Sequence, residues 1–299
     1  MCRFVAYLGK PIIVDELLLK PTNSLVHQSF HAGEMKEILN GDGFGLGYYV
    51  HHISERPGLF RSITPAWNNN NLLYNASLIQ TDCLFAHIRA ASEGVISENN
   101  SHPFHYGQFL MMHNGGIPQF TRIKRSLLSL LNDDLFLWIQ GQTDSEHIFA
   151  LLMQQVLEMR GSGPPLTREQ FRQCFQKTFD LVQQLKEEAG IGGEVSTYNM
   201  MVTDGHRIFG TRYSSNPEKQ ARTLYYSAGS RFQCKEGVSR MIQDETGVNA
   251  VLVVSEKLTE NEEDWIPIPH NHFISVDADL EVHLSPIDSS GVLSNGVSV

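Results

Sequence analysis

The stretch Met1-Cys2-Arg3-Phe4-Val5-Ala6-Tyr7-Leu8-Gly9 gives the first prediction about the fold. Residues 3–8 are rich in aromatic and β-branched side chains, which favour extended structure, so a strand is predicted at the very start of the chain. A glycine-dense segment, residues 41–47, is predicted to turn into a second strand. Asn114-Gly115-Gly116 is predicted to be a turn after a strand. Early strands are predicted at 3–8, 48–52, 84–89 and 108–113.

In the middle of the chain, the spacing of the apolar residues changes from that of strands to that of helices. From Phe120 onward apolar residues recur at helical spacing, and Thr143 with Glu146 has the form of a capping box that opens a helix. A longer helix is predicted over 167–189, and strands return after Gly193. The order of strands, then helices, then strands favours an α+β domain with predominantly antiparallel sheet. Late strands are predicted at 196–203, 207–212, 224–227, 250–255, 272–276 and 281–284.

Composition narrows the class of protein. The 299 residues are 41% hydrophobic and 19% charged, which is typical of globular domains. The net charge of −10 disfavours nucleic acid and anionic membranes as partners. No apolar run is long enough to span a bilayer and no signal peptide is evident, so a cytoplasmic protein is expected. The four cysteines lie far apart without a CxxC pair, which argues against a disulfide framework or a zinc site.

Cys2 differs from the other cysteines because of its position. Met1 is expected to be removed, since the side chain that follows it is small, and Cys2 would then carry a thiol and a free α-amine. An α-amine has a pKa of about 7.7–8.0 and can accept a proton at neutral pH. A thiolate activated by a neighbouring base is a competent nucleophile. This feature is weak evidence by itself, because many chains begin with Met-Cys.

Four further segments make Cys2 part of a specific set of motifs. They are Gly41-Asp42-Gly43-Phe44-Gly45-Leu46-Gly47, Ala86-His87-Ile88-Arg89-Ala90-Ala91-Ser92, His113-Asn114-Gly115-Gly116-Ile117 and Gly141-Gln142-Thr143-Asp144-Ser145-Glu146. Taken in this order after Cys2, the segments resemble the N-terminal-nucleophile class II glutamine amidotransferases. The resemblance is strongest to the stand-alone branch that includes γ-glutamyl hydrolases of glutathione breakdown and ergothioneine synthesis, and with motifs it covers residues 2–150.

The resemblance implies roles for these residues, and the chemistry of amide hydrolysis agrees with them. Cys2 is the implied nucleophile, with its α-amine as base. The Asn114 side chain and the Gly115 backbone N–H are the implied oxyanion donors. Arg89 suits the α-carboxylate of a glutamyl substrate, because a guanidinium binds carboxylates with two parallel hydrogen bonds. Asp144 suits the α-ammonium.

The resemblance also implies three further site residues, whose roles are less closely defined. Ser92 stands where relatives often carry a substrate-contacting threonine. Gly43 is expected to let the backbone approach the nucleophile closely. His87 is expected near the site. Although several histidines lie close to the motifs, their spacing matches no metal motif, so neither a metal nor a cofactor is predicted.

The resemblance also implies the fold and the reaction. It predicts a four-layer αββα sandwich, with a single domain over residues 2–285 and a tail over 286–299. It predicts an amidohydrolase that cleaves a γ-glutamyl amide through a Cys2 thioester and releases glutamate. One alternative is a glutaminase that supplies ammonia to a separate synthase subunit, and a second is an inactive binding or scaffold protein. The leaving amine and the choice between monomer, homo-oligomer and partner complex stay open.

Overall fold

The N-terminal strand lies in the middle of the larger of two main antiparallel sheets. The computed structural model describes residues 2–31, 40–90, 95–235 and 237–288. The strands are β1 Arg3–Ile13, β2 Phe44–Val50, β3 Ser54–Ser62, β4 Gln80–Ile88, β5 Phe104–Tyr106, β6 Phe109–Gly116, β7 Thr197–Thr203, β8 Ile208–Ser214, β9 Tyr225–Gly229, β10 Arg231–Lys235, β11 Val238–Ile242, β12 Ala250–Val254, β13 Ile266–Pro267, β14 His272–Val276 and β15 Val282–Pro286. The larger main sheet has seven strands in the order β13-β9-β12-β1-β4-β2-β3, and the smaller has six in the order β15-β14-β8-β7-β6-β5. The strands β10 and β11 form a separate two-stranded sheet.

Helices cover the outer faces of both sheets. The two longest, α6 and α7, follow side-chain caps at Thr143 and Thr167, which accept hydrogen bonds from the first turn. None of the helices that the structure describes combines the length and the apolar character needed to cross a bilayer. The α-helices are α1 Asp15–Leu18, α2 Leu25–Phe30, α3 Asn70–Ala76, α4 Lys124–Leu128, α5 Asp133–Trp138, α6 Asp144–Arg160 and α7 Arg168–Glu188.

The strand β1 shows why four layers form. Successive side chains of a strand point to opposite faces of its sheet, so an uninterrupted apolar strand must be covered on both sides. Phe4, Ala6 and Leu8 pack between the two sheets. Val5 and Tyr7 pack with α1 and α2 residues on the outer face. The third buried cluster lies between the six-stranded sheet and helices α6 and α7, which confirms the predicted αββα sandwich.

One local prediction was wrong and another holds in part. Asn114-Gly115-Gly116 is not a turn: β6 continues through Gly116, because these residues pair with β7 from Asn199 to Thr197. The helix predicted to begin at Thr143 is confirmed as α6, but its capping box is only half formed. The Thr143 hydroxyl accepts from the Glu146 N–H, but the Glu146 carboxylate accepts from the backbone N–H groups of Gln140 and Gly141 instead of returning to Thr143.

Candidate active site

A cavity of about 350 Å³ lies where the ends of β1, β4 and β6 meet the start of α6. Its volume is within the about 300–1,000 Å³ range of small-molecule sites. The lining comes from every motif named above except the glycine-dense segment. The lining residues are Cys2, Arg89, Ala90, Asn100, His102, His113, Gly115, Gly116, Ile117, Pro118, Thr143, Asp144, Ser145, Val195 and Thr197.

Strand pairing brings Cys2 to the end of β4. Arg3 pairs with Ile88, so the residues just beyond, Cys2 and Arg89, also lie side by side. The Ala90 N–H donates to the Cys2 sulfur at 3.4 Å. Burial raises the pKa of the Cys2 thiol, whereas the Ala90 contact and the Arg89 charge act in the opposite direction. The thiol therefore needs a nearby base to become a thiolate at neutral pH.

A buried ion pair anchors the backbone next to Cys2. The Arg3 Nε atom donates to the Glu256 carboxylate at 2.6 Å, and both side chains are at most 5% exposed. The Arg3 guanidinium also donates to the Cys2 carbonyl at 3.2 Å. Ser255 continues the anchor, since its hydroxyl accepts from the Phe4 N–H at 2.9 Å. No sequence pattern predicted this contact, and the role of Arg3 was missed.

Arg89 lines the cavity and is itself largely buried, at 4% exposure. Its backbone N–H donates to the Gly43 carbonyl at 2.8 Å, which joins the end of β4 to the start of β2. Gly43 has a φ of +112°, and a Cβ there would lie 2.5 Å from the Ser62 carbonyl oxygen. The structure therefore shows why a glycine is needed at position 43: a side chain there would collide with the backbone at the end of β3.

The start of α6 presents the Asp144 carboxylate to the cavity. One oxygen accepts from the Ile117 N–H and the other from the Ser145 N–H, both at 2.7 Å. Each carboxylate oxygen can accept more than one hydrogen bond, so these contacts fix the group and leave acceptor capacity for a ligand. A negative charge at a helix N-terminus is also favoured by the helix dipole.

His113 supports this arrangement from β6. Its Nε2 faces the Thr197 carbonyl at 3.2 Å, and its Nδ1 faces the Ser145 hydroxyl at 2.9 Å. Because a carbonyl only accepts, the Nε2 atom carries the proton and Nδ1 accepts from Ser145. Burial lowers the pKa of His113, which keeps the ring neutral. The sequence placed His113 in a motif without assigning it this contact.

Asn114 lies between two lining residues, His113 and Gly115, and is 6% exposed. Its Oδ1 atom is 3.2 Å from His87 Nε2, a contact that crosses from one sheet to the other. Gly115 lies directly in the cavity wall, where a Cβ would overlap the Thr197 carbonyl oxygen. Of the predicted residues within the described ranges, Asn114, His87 and Gly43 are not among those that line the cavity.

Ser92 lies outside the described residues, and so do residues 289–299 of the predicted tail. Among the residues that sequence analysis missed, Asn100 has a clear part in building the cavity. Its Oδ1 accepts from the Gln142 N–H at 2.8 Å and its Nδ2 donates to the Val95 carbonyl at 2.8 Å. It thereby ties the segment after β4 to the loop before α6. An asparagine in a polar loop carries no pattern that would have predicted this.

One group of possible metal ligands lies outside the cavity in the described part of the chain. His51 and His206 lie 3.7 Å and 3.3 Å from the Glu55 carboxylate. The two rings stack at 4.2 Å with an angle of 19° between their planes. Imidazole lone pairs lie in the ring plane, so stacked rings do not direct them to one point. This arrangement does not form a preorganised metal site.

Comparison with known proteins shows which family the chain belongs to. The model for "Glutamine amidotransferases class-II" matches residues 20–282. The chain belongs to the class-II glutamine amidotransferase family. Probable glutamine amidotransferase DUG3 of Saccharomyces cerevisiae is 37% identical over 292 residues, with 92% of this chain and 82% of the relative covered.

A second family member matches over a shorter range. Gamma-glutamyl-hercynylcysteine sulfoxide hydrolase of Mycolicibacterium smegmatis is 30% identical over 164 residues, covering 54% of this chain and 66% of the relative. A solved glutamine aminotransferase class-II domain protein from Silicibacter pomeroyi has the same fold, with a TM-score of 0.67 and 21% identity, covering 97% of this chain and all of that one. The predicted family, its stand-alone branch and the amidohydrolase class of enzyme are confirmed.

Proposed function

We propose that this amidotransferase-family protein hydrolyses the γ-amide bond of γ-glutamyl compounds larger than glutamine, with Cys2 as nucleophile and water as acceptor. The observation that carries the proposal is the shared cavity, whose wall holds the Cys2 thiol, the Arg89 guanidinium and the Asp144 carboxylate. These three groups match the three reactive parts of a γ-glutamyl substrate: the scissile carbonyl, the α-carboxylate and the α-ammonium. The family match begins at residue 20, so the case for Cys2 rests on its geometry.

The reaction proceeds in two halves. The Cys2 sulfur attacks the γ-carbonyl carbon, a C–S bond forms, and the carbonyl electron pair moves to oxygen. When the tetrahedral species collapses, the C–N bond breaks, and the leaving amine takes the proton that the α-amine removed from the thiol. Water then attacks the thioester carbon, gives a proton back through the α-amine to sulfur, and releases glutamate. Asn114 and the Gly115 N–H stabilise the oxyanion in both halves.

The preference for larger substrates is supported by the part of the cavity wall that is not required to bind the glutamyl end of the substrate. Ile117, Pro118 and Val195 add apolar surface to the cavity. Contact with such surface favours a leaving amine that carries carbon atoms over ammonia. The mycobacterial relative is named for the hydrolysis of a γ-glutamyl compound of this larger kind.

A second candidate function is supported by the yeast relative, which is named a probable glutamine amidotransferase. In that case glutamine would be the substrate, and its ammonia would pass to an acceptor on a separate subunit. Cys2, Arg89 and Asp144 would keep the roles given above, since both functions share the glutamyl end. The two candidates differ in the leaving amine and in the acceptor.

A substrate panel distinguishes the two. We expect kcat/KM for glutathione or another γ-glutamyl peptide to exceed that for glutamine. Amidation of the α-carboxylate should lower kcat/KM about ten- to a hundredfold, because hydrogen bonds to a charged group contribute about 1.5–3 kcal/mol. Steady-state kinetics with matched pairs of free and α-amidated compounds gives both comparisons.

Each comparison has its own contrary outcome. Equal turnover of the α-amidated compounds would contradict the role of Arg89. A wide preference for glutamine would contradict the preference for larger substrates and would support the ammonia donor.

A conservative substitution of Arg89 tests the carboxylate contact from the protein side. In Arg89→Lys we expect KM to rise about ten- to a hundredfold with little change in kcat, since one ammonium cannot form two parallel hydrogen bonds. The rise should be smaller for substrates whose α-carboxylate is amidated. A fall in kcat at unchanged KM would show instead that Arg89 acts mainly in the transition state.

A further inference from the structure

We infer that His87 is a positioning residue, which holds the Asn114 side chain so that its Nδ2 amide group can donate to the oxyanion. The inference rests on the proposed function, which gives Asn114 the oxyanion role. The contact that carries it is the one between His87 Nε2 and Asn114 Oδ1, at 3.2 Å. His87 belongs to β4 and Asn114 to β6, so this contact fixes the side chain from the opposite sheet.

The protonation state of His87 follows from its surroundings. The ring is 1% exposed, and burial lowers its pKa to about 3, so it is neutral at physiological pH. A neutral imidazole carries one N–H, and an amide oxygen only accepts. The proton must therefore be on Nε2, where it donates to Asn114. The Nδ1 atom has no hydrogen-bond partner among the described residues, and the contact with Asn114 opposes the effect of burial on the pKa of the ring more strongly than a contact with the His113 backbone does.

Because His87 donates to Asn114, only one end of the Asn114 amide is left to face the oxyanion. An asparagine amide presents two donors on Nδ2 and two lone pairs on Oδ1, and a half-turn about its last bond exchanges them. With Oδ1 held by His87, Nδ2 is the free end, and it donates no hydrogen bond to the described residues. With the proton on Nε2, the reversed amide would bring Nδ2–H against the His87 N–H and turn a carbonyl oxygen toward the developing negative charge. Both changes are unfavourable.

The position of His87 in the sheet keeps this donor in place. Its backbone pairs with Phe4 of β1 on one side and with Gly45 of β2 on the other, so the strand cannot shift. The ring packs against His102 with centroids 4.2 Å apart, and burial also keeps the pKa of His102 well below its usual value. Two neutral rings can pack closely without mutual repulsion. A rigid donor of this kind is what preorganised oxyanion binding requires.

The test combines kinetics on variants with an observation of the proton. His87→Phe keeps a ring of similar size but removes the donor, and we expect kcat to fall about tenfold or more with KM little changed. His87→Gln returns an amide N–H close to the position of Nε2, and kcat should recover at least in part. In an Asn114→Ala background, His87→Phe should change kcat by less than about twofold, because the partner is already absent. Thermal unfolding of every variant is measured alongside.

The contrary outcomes are equally definite. An equal loss from His87→Phe with and without Asn114, or no recovery in His87→Gln, would assign His87 a purely structural role. Long-range ¹⁵N–¹H spectra of histidine-labelled wild-type protein report the tautomer without any substrate, with the His87 signal identified by its loss in His87→Gln. An Nε2–H tautomer supports the inference, and an Nδ1–H tautomer overturns it. Failure of the proposed function would look different, since wild-type protein would then hydrolyse no γ-glutamyl compound.

Discussion

Replacing Cys2 with alanine is expected to lower turnover of γ-glutamyl substrates by at least about ten-thousandfold, in line with the loss seen when a hydrolase nucleophile is removed. The physical reason is that no thioester can form, and water must attack the amide unaided. The fold should persist, because Cys2 is only partly buried and precedes the first residue of β1. Steady-state kinetics with circular dichroism on the same sample measures both.

Cys234→Ala is the matched control, since Cys234 is also a partly buried free thiol but lies on the hairpin β10–β11. It should retain wild-type turnover. A thiol-alkylating glutamine analogue should label Cys2 in wild-type protein and leave Cys2→Ala unlabelled. Intact mass should show that Met1 is absent. Full activity with Met1 retained would contradict the α-amine as base, and near-wild-type activity in Cys2→Ala would place the nucleophile elsewhere.

Asn114→Ala should reduce kcat about a hundredfold or more, the usual effect of removing one oxyanion donor. The KM should change little, because the oxyanion exists in the transition state and not in the bound substrate. Asn114→Asp is a sharper variant. It keeps the shape and the acceptor for His87 but cannot donate, so its loss should be at least as large as that of Asn114→Ala.

Kinetics of the two Asn114 variants, with thermal unfolding as a control for stability, test this assignment. A change confined to KM would move Asn114 from oxyanion binding to substrate binding. Recovery of kcat in Asn114→Asp relative to Asn114→Ala would show that shape, and not hydrogen-bond donation, is what the position requires.

Sequence patterns predicted the individual strands and helices well where the periodicity of the apolar residues was strong. The strand over 272–276 matches β14, and the helix predicted over 167–189 is α7 with one residue fewer at each end. Weakly patterned elements were missed, including the edge strand β3 and the short helix α5. An edge strand is half exposed and lacks the continuous apolar signal of a central strand such as β4.

The candidate site was also predictable only in part. Cys2, Arg89, Gly115 and Asp144 could be selected from the motifs, and the structure places all four in the wall of one cavity. The supporting contacts were not predictable, because each joins residues that are far apart in the chain. Glycine pairs favour turns in general, and the extension of β6 through Gly116 depended on pairing with β7, about which the local sequence says nothing.

The ion pair between Arg3 and Glu256 has a consequence for the protein during its synthesis. Cys2 leaves the ribosome long before the carboxylate that anchors its neighbour, which follows 253 residues after Arg3. The strand β12, which flanks β1, also arrives late. Contacts between such distant segments form slowly, because a long loop must close first. A nascent chain therefore carries its thiol outside any finished cavity until β12 and Glu256 have joined β1.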